Sequence, residues 1–261
     1  MPIAGVVSRV AAAMLLAVAW VVPCALAEDD LQRLRYIGYA YDVKSGELLY
    51  QEQHTQQLRG ELPVSLDTVY RGPDGEPFAQ RQVTYGDTPS QPVFEFVDDR
   101  RSYAEGSYLD SGERVVFKRK QRDVEQAKVK FGRRPMVIDA GFDRFILERW
   151  EQLQKGKTVK FDFLNAARLG SIAFRIRKTG DRQTEYGDAT DFEMDISNFL
   201  LRMLLDPIKI CYLNQDKSLY QYKGISNIKG PDNKNYVVRI EYPRDQRSLG
   251  TVEEAPAELA E

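Results

Sequence analysis

The sequence predicts a mainly β protein, a β-rich α+β fold in which a long antiparallel meander curls into a barrel or half-barrel with two helices packed on it. Three observations carry this. Short runs alternate between apolar and polar residues along most of the chain, the period of a strand with one buried face. Asp-Gly, Ser-Gly and Gly-Asp pairs separate those runs, and glycine accepts the positive backbone angles that tight hairpins need. Only two segments show helical spacing instead.

In order, RYIGYAYDV places Ile37, Tyr39, Tyr41 and Val43 on one strand face, KSGE turns, and LLYQEQHTQQL returns. PVSLDTVYRG and PFAQRQVTYG form a hairpin around PDGE. PVFEFV, SYAEGSYL and ERVVFKRK follow, the last two joined by DSGE, and Asp98-Asp99 with Arg100-Arg101 reads as a charged turn. KTVKFDFL and SIAFRIRK come next, then TGDR as a turn, then QTEYGDATDFEMDI. PIKICYL, SLYQYKGISNI and NYVVRIEY end the series, giving about 11 to 13 strands by this pattern.

The first helix is DAGFDRFILERWEQLQKG. Asp139 is placed to cap it, Phe142, Phe145, Ile146, Trp150 and Leu153 form an apolar stripe, and Gly156 ends it. The second, SNFLLRMLLDP, starts at Ser197 or Asn198 and stops at Pro207. Both stripes read either as core filling or as a cover over a ligand. On the second reading the candidate ligand contacts are Phe142, Phe145, Ile146, Trp150, Leu200, Met203 and Leu204.

Residues 1–27 have the features of a cleaved secretory signal. Arg9 supplies charge, Val10–Val22 is an apolar run short of the roughly 20 residues a span requires, and Ala25-Leu26-Ala27 is a small-residue cleavage site. Cleavage after Ala27 discards Cys24. A lipid-anchored start at Cys24 would need a small residue before it, where Pro23 stands. The expected compartment is the periplasm, the expected domain runs over 28–242, and 243–261 is an acidic tail expected to be disordered.

The chain has 261 residues, 43% of them hydrophobic, and a net charge of −2, which suits a packed globular domain and gives no general attraction to nucleic acid. After cleavage Cys211 alone remains, so no internal disulfide can form, and its setting in IKICYL reads as a buried inert thiol. The single histidine, His54, shares a polar row with Tyr50, Glu52 and Gln56 and is expected to be solvated. No G-x-S-x-G elbow, phosphate-cradling glycine loop or Cys/His metal cage occurs, so no catalytic residue, metal or cofactor is assigned and the chain is read as a non-enzyme. Asp191, Glu193 and Asp195 alternate on one face of a strand and read as its solvated side.

The strongest charge signal is residues 114–135, where basic residues far outnumber Asp123 and Glu125. Lys118, Arg119, Lys120, Arg122, Arg133 and Arg134 are candidate contacts to an anionic surface. The competing reading is a solvated sheet edge protected by lysine.

The order of signal, curved antiparallel sheet and helices across the concave side resembles the LolA/LolB-type periplasmic lipoprotein carriers. It also resembles exported bacterial β-rich domains that carry a terminal Tyr-x-Gly hairpin like YKGISNI. The resemblance is one of architecture over 36–242; no motif matches residue by residue, and it implies transport of a hydrophobe. Two functions follow as expectations. One is a periplasmic binding or carrier protein for a lipid or acyl-bearing ligand. The other is a non-catalytic cell-envelope assembly or interaction protein with a filled core, partnered by an envelope protein or an anionic membrane surface.

Overall fold

A computed structural model describes residues 31–198 and 206–251. The alternating runs become strands β1 (Leu31–Asp42), β2 (Leu48–Arg59), β3 (Leu62–Arg71), β4 (Pro77–Thr84), β5 (Val93–Asp98), β6 (Tyr103–Asp110), β7 (Glu113–Lys120) and β8 (Asp123–Lys128). After β9 (Met136–Ile138) come helices α1 (Gly141–Glu148) and α2 (Trp150–Gln154). The second half holds β10 (Val159–Asn165), β11 (Gly170–Thr184), β12 (Gly187–Ile196), β13 (Ile208–Leu213), β14 (Leu219–Lys229), β15 (Asn235–Glu241) and β16 (Ser248–Thr251).

All strands belong to one sheet, ordered β8-β7-β6-β5-β4-β3-β2-β1-β15-β14-β13-β12-β11-β10-β9, with β16 added on β1. Only β9–β10 is parallel. Two meanders are thus joined where β1 pairs β15, from Tyr39↔Glu241 to Asp42↔Val238. The sheet does not close by hydrogen bonds: β8 and β9 end the ladder. It curls instead. Leu66, Val83, Phe94 and Val116 from the first meander pack in one apolar cluster with Met136, Ile138, Leu164 and Ala166 from the second. The result is the expected half-barrel, its seam closed by side chains and by the Ile138 amide donating to the Ser90 carbonyl at 3.0 Å.

A clasp fastens one end. Asp98 accepts from Arg100 Nε and Nη2 at 3.0 and 2.7 Å, and Arg100 lies 3.7 Å over the Phe78 ring. Arg101 reaches across to Asn233 Oδ1 at 3.0 Å and to the Gly230 carbonyl in the β14–β15 turn. The Asp98–Arg101 segment is the charged turn expected, lying between β5 and β6, and it also ties the two meanders together.

Several expectations need correcting. Ile37, Tyr39 and Tyr41 share one face of β1 as read, and it is the outer one: the inward face carries Tyr36, Gly38 and Ala40, with Gly38 where the Tyr242 ring lies 2.6 Å from the place of a Cβ. TGDR is not a turn: β11 runs through it with a bulge at Lys178/Gly180, and the chain reverses at Glu185-Tyr186. The helix over 139–156 breaks at Arg149 into α1 and α2. Asp139 does not cap it. It adopts φ +42 and pairs its carboxylate with Arg81, 3.5 Å away. Gly156, at φ +75, ends the segment as read. β16 orders residues 248–251 within the stretch expected to be disordered, pairing Ser248–Thr251 with Gln32–Arg35. The short strands β8, β9 and β16 account for the larger strand count. Leu200, Met203 and Leu204, and with them the helix expected over SNFLLRMLLDP, lie outside the described residues.

Candidate functional site

The α1–α2 segment lies on the concave side as a strap. Its apolar stripe is buried: Phe145, Ile146, Trp150 and Leu153 share a cluster with Val137, Phe161, Ile176, Phe192, Met194, Ile210 and Tyr212 of the sheet, with Phe142 packed at its margin. Trp150 meets Phe192 and Tyr212 edge-on at 5.4 and 6.0 Å, arrangements that aromatic quadrupoles favour. The space between strap and sheet is filled by the strap's own side chains.

The strap is anchored by polar contacts at its far end. Gln154 donates to Thr190 Oγ1 at 3.0 Å and accepts from Lys178 at 2.7 Å; Asp181 and Asn214 lie 2.9 and 2.8 Å from the same hydroxyl. Lys178 also pairs with Asp181 at 2.6 Å, which holds that carboxyl below its usual range. Thr190→Val removes the hydroxyl shared by half-buried Gln154 and exposed Asp181 and Asn214, and should lower stability by about 1 kcal/mol in denaturant unfolding. An unchanged midpoint would show that water replaces the hydroxyl.

Along β1–β3 and Tyr242 the interior is polar. His54 Nδ1 lies 2.9 Å from Thr68 Oγ1, and Nε2 lies 3.2 Å from Glu52 Oε2, which also accepts from Tyr242 at 3.0 Å. The Tyr36 ring stacks on His54 at 4.4 Å. Tyr50 pairs with Ser226 at 2.7 Å. Arg81 and Asp139 form an ion pair alongside. Burial opposes the Arg81 charge, but Asp139, Tyr70 and the nearby carboxylates outweigh it and strengthen its hold on the proton. Burial likewise raises the Tyr36, Tyr70 and Tyr242 phenols, which stay neutral donors. His54 is thus a buried network member, not the solvated residue expected.

A hydroxyl, an imidazole and a carboxylate in sequence is the order of an activated nucleophile. Here Thr68 is 1% exposed. Two clefts, of about 330 and 260 Å³, lie elsewhere: one by Gln82, Glu95, Tyr108 and Phe117, the other at the Arg100–Arg101 clasp. The chain of hydrogen bonds holds β2, β3 and Tyr242 together, with the Tyr36 ring of β1 stacked on it.

Asp143 ties the strap to β13. It accepts from Tyr212 at 2.8 Å, and burial raises its carboxyl pKa although Tyr212, Arg144 and Arg247 oppose the shift. The folded protein therefore keeps this proton to higher pH than the unfolded chain. Its stability contribution is greatest in acid, falls as pH rises from the unfolded value of about 3.9 to the raised folded value, and is flat above. Asp143→Asn keeps an acceptor for Tyr212 and removes the titration. Its melting temperature should gain on the parent as pH rises above about 4. A constant difference across that range would sink the assignment.

The basic stretch is partly compensated. Lys118 pairs with Glu125 at 3.1 Å, Arg119 with Glu95 at 3.9 Å, Arg134 with Asp162 at 3.1 Å, and Lys128 with Glu113. Lys120, Arg122 and Arg133 are exposed. Its β8 portion ends the sheet ladder, where charged side chains blunt pairing with other strands. The acidic row of β12 is also paired, Asp191 with Arg182, Glu193 with Arg177 and Asp195 with Arg175. Among the described residues no group of three or more His, Cys, Asp or Glu could hold a metal. Cys211 is buried against Arg182, and burial pushes its thiol up to about 11, so it remains protonated and unreactive at neutral pH.

No protein-family model matches the chain, and no curated protein matches it. A solved structure is similar to the chain. It is the crystal structure of a β-barrel-like protein of domain of unknown function DUF1849 from Brucella abortus, 11% identical, with a TM-score of 0.46, covering 86% of this chain and 98% of that one. No family model stands behind the resemblance to LolA/LolB-type carriers.

Proposed function

We propose that the chain is an exported, non-catalytic interaction protein of the bacterial cell envelope, a half-barrel filled by its own side chains whose partners dock on its outer surface. The observation that carries this reading is the burial of Phe145, Ile146, Trp150 and Leu153 against β10–β13, together with a belt of hydrogen-bonded polar residues that would repel an acyl chain. Native mass spectrometry of the protein taken from the periplasm without detergent tests it. A bare mass beginning at Glu28 supports export, cleavage and a filled core.

The carrier reading keeps one observation in its favour. The strap crosses the concave face of a sheet that hydrogen bonds do not close, so a strap that swung out would uncover Phe161, Ile176, Phe192 and Ile210. Phe142, Phe145, Ile146 and Trp150 would then contact a lipid or acyl-bearing ligand. A discrete added mass released as lipid would establish that reading in place of the first.

A further inference from the structure

The outer face of the second meander carries an arrangement that the fold itself does not favour. Lys209 of β13 stands directly opposite Lys223 of β14, and Lys223 directly opposite Arg239 of β15. Tyr41 of β1 continues the row, and Arg239 lies 5.5 Å from its ring centroid. Like charges directly opposed across antiparallel strands repel. Elsewhere on this face the protein alternates signs, as in the three Arg–carboxylate pairs between β11 and β12. Here two acids border the row. Glu241 takes Arg239 at 2.8 Å, and Glu193, in register with Lys209, is held by Arg177 at 2.6 Å. Among the described residues neither Lys209 nor Lys223 has an ion-pair partner, and both are exposed.

The next outward row is aliphatic. Ile225 faces Val237 across β14 and β15, and they are 57% and 49% exposed. Val43 adjoins them, its amide donating to the Val237 carbonyl at 3.3 Å. A sheet face thus presents a line of cations with an aromatic at its end and, one repeat away, a line of branched aliphatics. That two-tier chemistry matches a membrane surface: phosphates for the cations, the headgroup–acyl boundary for the aliphatics and the Tyr41 ring. Lysines are point charges without the bidentate fork that singles out one carboxylate, so they suit a smeared field of headgroups.

We infer that the outer face of β13–β15, through Lys209, Lys223, Arg239, Ile225 and Val237, docks on an anionic bilayer. This rests on the reading that partners meet the outside of a filled barrel. The test is co-sedimentation of the purified protein with phosphatidylcholine vesicles, with and without phosphatidylglycerol. Binding should require phosphatidylglycerol and weaken with added salt. Lys209→Glu with Lys223→Glu should lower affinity about tenfold or more. Ile225→Ser with Val237→Ser should weaken binding and leave its salt dependence in place. The reversal leaves 209 and 223 like-charged and sets 209 opposite Glu193, so Lys209→Gln with Lys223→Gln, which does relieve the repulsion, is the paired variant: it should melt no lower than the parent and still lose affinity for the anionic vesicles.

The inference is overturned if the parent ignores anionic vesicles at low salt, or if the reversal binds as the parent does. It is also overturned if binding is lost on reversing Arg122 and Arg133 instead, which would move the contact to the β7–β8 end. A bare native mass without vesicle binding sinks this inference alone. A lipid load in the native mass sinks the filled-core reading, whatever the vesicles show.

Discussion

Trp150→Ala should destabilise the protein by about 3–5 kcal/mol, the range for removing a buried large aromatic from a packed core. Trp150 is 7% exposed and touches both Phe192 and Tyr212. It begins α2, just after the break at Arg149, so its neighbours belong to a helix of five residues that cannot hold itself together without packing. The cavity left behind has little means of collapse, because the sheet on its other side is fixed by ladders on both edges. Urea unfolding followed by far-ultraviolet circular dichroism reads the loss as a lower midpoint. A loss under about 1 kcal/mol would mean that the strap lies loosely on the sheet, and would favour the carrier reading.

Asp98→Ala should have the second largest effect. The Asp98 side chain is 3% exposed and is the shared anion for Arg100 and Arg101, at 2.7 and 3.7 Å. Its removal leaves two guanidiniums without their carboxylate at the point where they grip the β14–β15 turn. Breaking a fully buried pair costs about 3–5 kcal/mol, and the partial exposure of both arginines reduces the expectation to roughly 2–3 kcal/mol. Hydrogen exchange should localise the damage: amides of 229–236 lose protection together with those of 98–103. Protection lost across the whole sheet at once would show that the clasp has no separate existence.

The sequence made the strap readable because Phe145, Ile146, Trp150 and Leu153 recur with helical spacing. It made the hairpins readable because Gly46, Gly75 and Gly112 occupy positive φ at the turns. The polar belt was harder. Alternation tells which residues share a face, and Tyr50, Glu52 and His54 do share one; it does not tell which face is inside. In a curled sheet the concave side holds polar residues provided their hydrogen bonds are met, and those partners, Thr68 and Tyr242, lie 14 and 190 residues from the residues they serve. The row of Lys209, Lys223 and Arg239 was invisible for a related reason. Each residue sits in an unremarkable alternating run, and only strand register sets them side by side. TGDR misled because a Gly-Asp pair marks a bulge as well as a turn.

A fully hydrogen-bonded barrel has its girth fixed by strand number and stagger. This one does not, because its ends overlap through Leu66, Val83, Phe94 and Val116 on one side and Met136, Ile138 and Leu164 on the other. It is a scroll rather than a tube. Besides these apolar contacts the overlap carries two directional ties, the Ile138 amide to the Ser90 carbonyl at 3.0 Å and the Arg81–Asp139 pair at 3.5 Å, so its circumference can tighten or relax when those two give way while every ladder stays intact. Under mechanical load the scroll should unroll from that seam first, with the β1–β15 joint the last to part.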